Sequence, residues 1–84
     1  MIHTTGIIIN GNIFIHSNHV VKMDKTNVAN SDGSCDYMIN IYMTNGVTPV
    51  SFTFDSEMER DSTFNQIIKM LYGNSNAYLN IKTK

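Results

Sequence analysis

The stretch NGVTPVSFTFDSEMERDSTFNQIIKML, residues 45–71, changes its hydrophobic period from two residues to about three and a half at DSE. Before the change, Val50, Phe52 and Phe54 alternate with polar residues, as in a half-buried strand. Pro49 has no N–H donor, so we expect it at the start of this strand or on a sheet edge. The stretch therefore predicts a strand whose chain turns back as a helix over the sheet.

The helix that follows has its own start and stop signals. Ser56 and Glu59 form the S-x-x-E pattern of a capping box, and Glu57 adds negative charge near the positive end of the helix dipole. The next apolar residues recur at helical spacing and form one stripe: Phe64, Ile67, Ile68 and Leu71. Gly73 is the expected stop. We expect a helix over residues 57–72.

Extended segments precede this unit. In GIIINGNIFIH, two apolar runs flank Asn10-Gly11, a dipeptide that favours a tight hairpin because both residues accept positive φ. HVVKMDK is a third extended candidate, with Val21 and Met23 on one side of the strand. Polar residues between 27 and 36 predict a turn or a mobile loop.

The segment DYMINIYMT alternates as a further strand, and Asn45-Gly46 predicts the turn into the next one. We therefore expect an α+β fold: a small, strongly bent antiparallel sheet or partial barrel of four to five strands, with one C-terminal helix packed across it. Residues 1–84 are expected to form a single domain in which 73–84 are a short tail or an extra strand. The predicted core comprises Val21, Met23, Ile39, Ile41, Val50, Phe52, Phe54, Phe64, Ile67, Ile68 and Leu71.

Composition restricts the function classes. The chain is 42% hydrophobic and 15% charged, with a net charge of −1, which argues against disorder and against the basic surface of a typical nucleic-acid binder. A lone Cys35 cannot form an intramolecular disulfide, and the apolar runs are too short for a signal peptide or a membrane span, so we expect a cytoplasmic protein. The excess of Asn and Ile resembles the codon bias of an AT-rich genome, which is compatible with a phage or mobile element and equally with an ordinary low-GC bacterium.

Chemistry-bearing residues form no convincing catalytic set. The carboxylates have local explanations in helix capping and turns: Asp24, Asp32, Asp36, Asp55, Glu57, Glu59 and Asp61. His16-x-x-His19 has a zinc-compatible spacing, but Cys35 is its only soft partner and a structural zinc site needs four ligands. Cys35 also lacks a neighbouring helix N-terminus or cation that would activate it as a nucleophile. We predict no enzyme, no catalytic residues, no cofactor and no metal.

Surplus apolar residues favour protein binding instead. GIII and NIFI are apolar on successive residues, so both faces of those strands carry large side chains, and one helix covers only one face. Phe14, Met38, Tyr42 and Met70 are the predicted interface residues, and a homodimer through sheet faces or edges is the predicted assembly. Within a monomer, a rolled sheet or a strand formed by AYLNI would cover the same face. The alternative function is binding of single-stranded nucleic acid on the sheet face, by stacking on Phe14, Tyr37 and Tyr42 beside scattered lysines.

Overall fold

A computed structural model describes residues 5–44, 46, 48–73 and 78–83. These residues form six strands and one α-helix, with a short 3-10 turn at Ser17–His19. In chain order the elements are β1 (Gly6–Ile9), β2 (Ile13–His16), β3 (Val20–Ala29), β4 (Cys35–Met43), β5 (Val50–Phe54), α1 (Glu57–Tyr72) and β6 (Tyr78–Ile81). The strands form two three-stranded sheets, which we call the small sheet (β2-β1-β6) and the large sheet (β3-β4-β5).

The prediction of an α+β fold with one C-terminal helix is confirmed. The strands number six and lie in two sheets, and the described residues do not close into a barrel. The 3-10 turn at Ser17–His19 separates the first hairpin from β3, so the hairpin does not continue the large sheet. Each sheet turns one face toward α1 and a common core.

The small sheet begins with the predicted hairpin. Asn10 and Gly11 have φ of 53° and 79°, and the Asn12 N–H donates to the carbonyl of Ile9 at 3.2 Å, so the hairpin at Asn-Gly is confirmed. Its loop is residues 10–12, because Ile9 pairs with Ile13, and it is thus one residue longer than the two-residue turn that Asn-Gly favours. β6 then pairs with β1 in parallel, with Leu79 opposite Ile7. A parallel pair needs a long crossover connection, which here contains α1.

The hairpin turn also holds the end of β6. The Asn10 N–H donates to the Ile81 carbonyl at 2.8 Å, and the Asn10 side chain exchanges two hydrogen bonds with Thr83. In these bonds Nδ2 donates to Thr83 Oγ1 at 3.0 Å, and Oδ1 accepts from the Thr83 N–H at 2.9 Å. The positive φ that suits Asn10 to the turn therefore also places its amide beside β6.

The large sheet is antiparallel throughout, and its first hairpin has a shorter loop than the sequence suggests. Ala29 pairs with Cys35, so the loop comprises residues 30–34 and the rest of the polar stretch from 27 to 36 belongs to strands. Asp32 Oδ1 accepts from the Ser34 N–H at 2.9 Å, and Gly33 has a φ of 89°. Pro49 directly precedes the outer strand β5, as predicted. The predicted Asn45-Gly46 turn includes Asn45, which lies outside the described residues.

The helix has the predicted bounds. Ser56 Oγ accepts from the Glu59 N–H at 3.1 Å, which confirms the N-cap. At the other end the Gly73 N–H donates to the Met70 carbonyl at 3.3 Å, and the Gly73 φ of −83° shows that the helix stops without a left-handed residue. Within the described residues, no helix combines the length and the apolar character needed to cross a membrane.

One core joins both sheets to the helix. Its buried residues are Ile7, Ile9, Ile15, Ile39, Ile41, Phe52, Phe54, Ile67 and Ile81. Ile39, Ile41, Phe52, Phe54 and Ile67 were predicted from the alternation of β4 and β5 and from the helical stripe. The four isoleucines of the small sheet complete the core because that sheet turns its inner face toward α1.

The prediction that Val21 belongs to the core is wrong, because Val21 is 64% exposed. The register shifts between Val20 and Lys22, so β3 has one extra residue opposite Met43. This bulge breaks the alternation on which the prediction relied. Val20 and Met23 pack against the core, and Val21 points away from it.

Core truncation should cost much more stability than loss of the helix cap. Phe52→Ala removes a buried ring from β5 and should lower the free energy of unfolding by about 3–5 kcal/mol. Ser56→Ala removes one exposed capping hydrogen bond and should cost about 1 kcal/mol. Urea denaturation followed by circular dichroism measures both changes, and equal losses would contradict this account of the core.

Candidate interaction surfaces

The four predicted interface residues lie on three different parts of the molecule. Phe14 lies on β2 in the small sheet, and Met38 and Tyr42 lie on the outer face of the large sheet, opposite to the buried Ile39 and Ile41. Met70 packs against the core, so the expectation that it has no internal partner is wrong. Two sheets converge on α1, and the buried side of the helix is therefore wider than its sequence stripe.

A network of side-chain hydrogen bonds connects the strands on the outer face of the large sheet. Asn40 is buried at its centre, where its Nδ2 donates to Asp24 Oδ1 at 2.7 Å and to Thr26 Oγ1 at 3.2 Å. Its Oδ1 accepts from Ser51 Oγ at 2.7 Å. The network thus joins all three strands, and Asn40 keeps hydrogen bonds on both ends of its amide.

Tyr42 belongs to the same polar face. The ammonium of Lys22 lies 4.6 Å from the centre of the Tyr42 ring. Loss of solvation raises the pKa of Tyr42, and a hydrogen bond and negative charge from Asp24 raise it further. Met38 stands beside this network, opposite Thr26 and Thr53. The polar groups of this face and the Tyr42 ring therefore already have interaction partners within the chain.

The outer face of the small sheet has a different character. We call it the aromatic face and define it by the residues that share it in register: Gly6, Ile8, Phe14, His16, Tyr78 and Asn80. Phe14 is 50% exposed and Tyr78 is 53% exposed, whereas Ile7 and Ile9 on the opposite face are fully or almost fully buried. The rings stand on the two outer strands of the small sheet and are thus available to solvent.

Glycine at position 6 permits the ring cluster on this face. A Cβ at Gly6 would lie 2.7 Å from the Phe14 ring and 2.8 Å from the Ile15 carbonyl oxygen, closer than real contacts allow. With no side chain there, the Phe14 ring approaches the strand, and its centre lies 5.7 Å from that of Tyr78 and 6.2 Å from that of His16. The three rings form one connected cluster.

The His16-x-x-His19 pair continues this cluster. The two imidazole rings contact edge to face, with centres 5.7 Å apart. His16 Nδ1 accepts from the Asn18 N–H at 3.2 Å, and His19 Nδ1 shares a hydrogen bond of 3.3 Å with Thr44 Oγ1. In the described part of the chain, no group of three or more His, Cys, Asp or Glu side chains is placed to hold a metal ion.

The small sheet contains no formally charged side chain. Its three strands, GIII, IFIH and YLNI, lack Asp, Glu, Lys and Arg, and residues 1–21 of the sequence lack them too. Among the described charged residues, Lys82 is exposed and directly follows β6, and the others lie on the large sheet, on the helix and in the connections. The residues that define the aromatic face carry no formal charge.

A second apolar surface lies beside the helix. A cleft of about 320 Å³ separates the start of β3 from the C-terminal half of α1, and we call it the β3–α1 cleft. Its apolar lining includes Val20, Met23, Phe64, Ile68 and Leu71. Val21 and Tyr72 also line it, and both are strongly exposed. The sequence pattern did not indicate this cleft, nor the bulge between Val20 and Lys22, which lies in its lining.

Beyond the cleft, toward the start of the helix, Arg60 ties α1 to the sheet. Arg60 is only 4% exposed, and its Nη1 donates to the Thr26 carbonyl at 3.0 Å and to Asn27 Oδ1 at 2.9 Å. Its Nε donates to Asp61 Oδ1 at 2.7 Å, and the guanidinium lies 5.7 Å from the centre of the Tyr37 ring. A buried guanidinium with this many partners fixes the distance between helix and strand.

Arg60 is not among the residues predicted from the sequence. The residue stands four positions before Phe64 and seven before Ile67, so it continues the apolar stripe of the helix by one turn. A charged residue in a stripe position, with Glu57 and Asp61 beside it, is the signal of a paired and buried guanidinium. The burial of Arg60 could therefore be predicted from the sequence, but the strand against which it packs could not.

Asp61 should contribute stability that is lost in acid. The hydrogen bond from Arg60, assisted by Lys25 at 3.4 Å, lowers the pKa of Asp61. A carboxyl group with a lower pKa in the folded state stabilises the fold above its unfolded pKa, and this contribution disappears as the pH falls through the folded pKa. The stability difference between the protein and Asp61→Asn should therefore be largest near neutral pH and shrink in acid.

Urea denaturation at pH 7 and at about pH 3 measures this difference. Glu59→Gln is the matched control, since Glu59 occupies the same helix turn and, within the described residues, forms no ion pair with Arg60. A difference for Asp61→Asn that stays constant between the two pH values would contradict the role assigned to the Arg60–Asp61 pair.

Comparison with protein-family models, with curated proteins and with solved structures found no match to this chain. Three surfaces of the described residues are candidates for binding a partner. They are the polar outer face of the large sheet, the aromatic face and the β3–α1 cleft.

Proposed function

We propose that this protein is a small non-enzymatic module that acts by protein–protein binding and forms a homodimer through its aromatic face. The observation that supports this proposal is the exposure of Phe14 and Tyr78 on a sheet face without charged residues. Aromatic residues are enriched and charged residues are depleted at the centres of protein interfaces.

A second copy of the chain is the partner that this face suits best. In a two-fold symmetric dimer the same patch meets itself, so any charge near the axis faces a like charge. Among the residues that define the aromatic face, only His16 and Tyr78 are ionisable, so this repulsion is small there, and the formal charge that follows in sequence is Lys82, just after β6. Burial of the exposed halves of Phe14 and Tyr78 would supply the favourable free energy.

The size of the face sets the expected affinity. Four-residue strands rise about 13 Å, and three adjacent strands span about 10 Å between their outer axes. The area given by the product of these two lengths is well below the roughly 800 Å² that each partner contributes to a standard interface. Small interfaces are typically transient, so we expect a weak dimer that dissociates on dilution.

Structural roles of the ionisable groups support the non-enzymatic part of the proposal. Asp61 and Glu57 pair with Arg60, Asp24 bonds Asn40, and Asp32 caps the turn at residues 30–34. Cys35 is half-buried in β4, where its thiol contacts the Asp36 carbonyl at 3.8 Å. A reducing cytoplasm, and an origin in a phage or mobile element, remain predictions from the composition.

Sedimentation equilibrium between roughly 1 and roughly 500 µM tests the homodimer. We expect a concentration-dependent dimer, and Phe14→Ser should raise its dissociation constant at least about tenfold because it removes a ring from the centre of the contact. Met58→Ser is the matched control, since Met58 is equally apolar and more exposed but lies on α1. Circular dichroism confirms that each variant is folded.

A protein that stays monomeric over this whole range would refute the homodimer, as would a Phe14→Ser variant that dimerises like the unchanged protein. Binding of single-stranded nucleic acid is the competing function, because exposed rings also stack on bases. Fluorescence anisotropy with a labelled oligothymidine at two salt concentrations separates the two. We expect no binding; micromolar binding that collapses at the higher salt would replace our proposal.

A further inference from the structure

His16 is the residue of the aromatic face whose charge changes near neutral pH. A histidine side chain gains a proton between about pH 8 and about pH 5, whereas a phenol such as that of Tyr78 is neutral throughout this range. His16 is half-buried at the end of β2, and its ring meets that of Phe14 edge to face. A proton on His16 therefore places a positive charge beside one of the two rings on which the proposed homodimer depends.

The hydrogen bond that His16 accepts exists only while its ring is neutral. Its Nδ1 accepts from the Asn18 N–H at 3.2 Å and so caps the 3-10 turn at Ser17–His19. An imidazole nitrogen that accepts a hydrogen bond carries no proton, so the neutral ring has its proton on Nε2. A second proton adds to Nδ1 and turns this acceptor into a donor that faces the Asn18 N–H. Protonation thus removes the side-chain cap of the turn that leads from β2 into β3.

His19 adds a second titrating group next to the first. The two imidazole rings contact edge to face with centres 5.7 Å apart, and His19 is exposed. Its Nδ1 shares a hydrogen bond with Thr44 Oγ1, and this bond is possible in both protonation states because the hydroxyl oxygen also accepts. His19 therefore keeps its partner in acid, but two protonated rings at this distance repel each other.

The elements packed around His16 supply no negative charge. Gly6 stands opposite His16 on β1, and Tyr78 of β6 follows on the far side of Gly6. The three strands of the small sheet contain no carboxylate, and within the described residues neither imidazole belongs to an ion pair. A charge on His16 is therefore stabilised mainly by its contact with water.

Basic residues near these elements in sequence lie away from His16. Lys22 follows in β3, where its ammonium lies over the Tyr42 ring on the outer face of the large sheet. Lys82 follows β6, at the opposite end of the small sheet from His16. Between neutral and acid pH, the change of charge at this end of the aromatic face is therefore that of the two histidines.

We propose that His16 makes the homodimer sensitive to pH, so that the dimer forms with neutral imidazoles at about pH 7.5 and dissociates as His16 takes up a proton toward about pH 5.5. This inference rests on the proposed homodimer and states how it is regulated. The dimer covers the aromatic face, where a charge without a partner is costly, whereas in the monomer the same charge reaches water. The monomer therefore binds protons more tightly than the dimer does, and by reciprocity protons favour the monomer.

Sedimentation equilibrium at about pH 7.5 and about pH 5.5 tests the inference over the same range of concentrations as the homodimer. We expect the dissociation constant to be at least about tenfold larger at the lower pH. His16→Asn should give the same constant at both pH values, because its side-chain oxygen can still accept from the Asn18 N–H but takes up no proton. His19→Gln is the matched control and should keep a pH-dependent constant, since His19 lies beside the aromatic face and not on it.

Amide chemical shifts of the ¹⁵N-labelled protein, at a concentration at which it is monomeric, test the loss of the cap separately. The Asn18 amide should shift with the same midpoint as the His16 ring protons when the pH is lowered, because its hydrogen bond to Nδ1 is lost. In His16→Asn the Asn18 amide should stay in place. Circular dichroism confirms that each variant is folded at both pH values.

The outcomes distinguish this inference from the homodimer itself. A dimer at about pH 7.5 with the same dissociation constant at about pH 5.5 would overturn the inference and leave the homodimer intact. A His16→Asn variant that keeps the full pH dependence would also overturn it, since another group would then be responsible. An Asn18 amide that does not follow the titration of His16 would contradict the role of the cap. A protein that is monomeric at both pH values would refute the homodimer and the inference together.

Discussion

A single helix has to cover the inner faces of two sheets, and the rest of the structure depends on this constraint. Ile67 lies at the meeting point and is completely buried, with core residues of both sheets around it. A helix with its side chains is about 10–12 Å wide, about the span of one three-stranded sheet. Because α1 lies mainly against β4, β5 and β6, it meets β3 through a few side chains, among them those of Arg60 and Asp61. The β3–α1 cleft is the space left by this division.

The helix does not cover the outer face of either sheet, and the two outer faces differ in their side chains. On the large sheet, the network around Asn40 satisfies its polar groups across three strands, and Lys22 lies over the Tyr42 ring. The small sheet has no comparable network and exposes Phe14 and Tyr78 instead. The outer face of the large sheet is thus polar and suited to water. The outer face of the small sheet carries exposed apolar area whose burial would be favourable.

Local signals in the sequence predicted the elements that are built locally. Ser56 and Glu59 identified the start of α1, and Asn10-Gly11 identified the first hairpin, because capping and turn chemistry act within a few residues. Val21 was misplaced because a bulge changes the alternation by one residue, and strand patterning alone does not reveal bulges. The interface candidates were only partly informative: Phe14 is exposed beside Tyr78, whereas Met70 packs against the core. Parallel pairing of β6 with β1 joins distant parts of the chain, so no local pattern could indicate it.

That parallel pairing has a consequence for the order in which contacts can form. Ile7 and Ile9 lie before α1 in the chain, but their strand neighbour β6 follows α1. An isolated two-stranded hairpin is at best marginally stable in water, so the hairpin of β1 and β2 depends on a strand that the chain supplies only after the helix. Contacts between such distant parts of a chain slow folding, whereas the three strands of the large sheet are consecutive and pair locally.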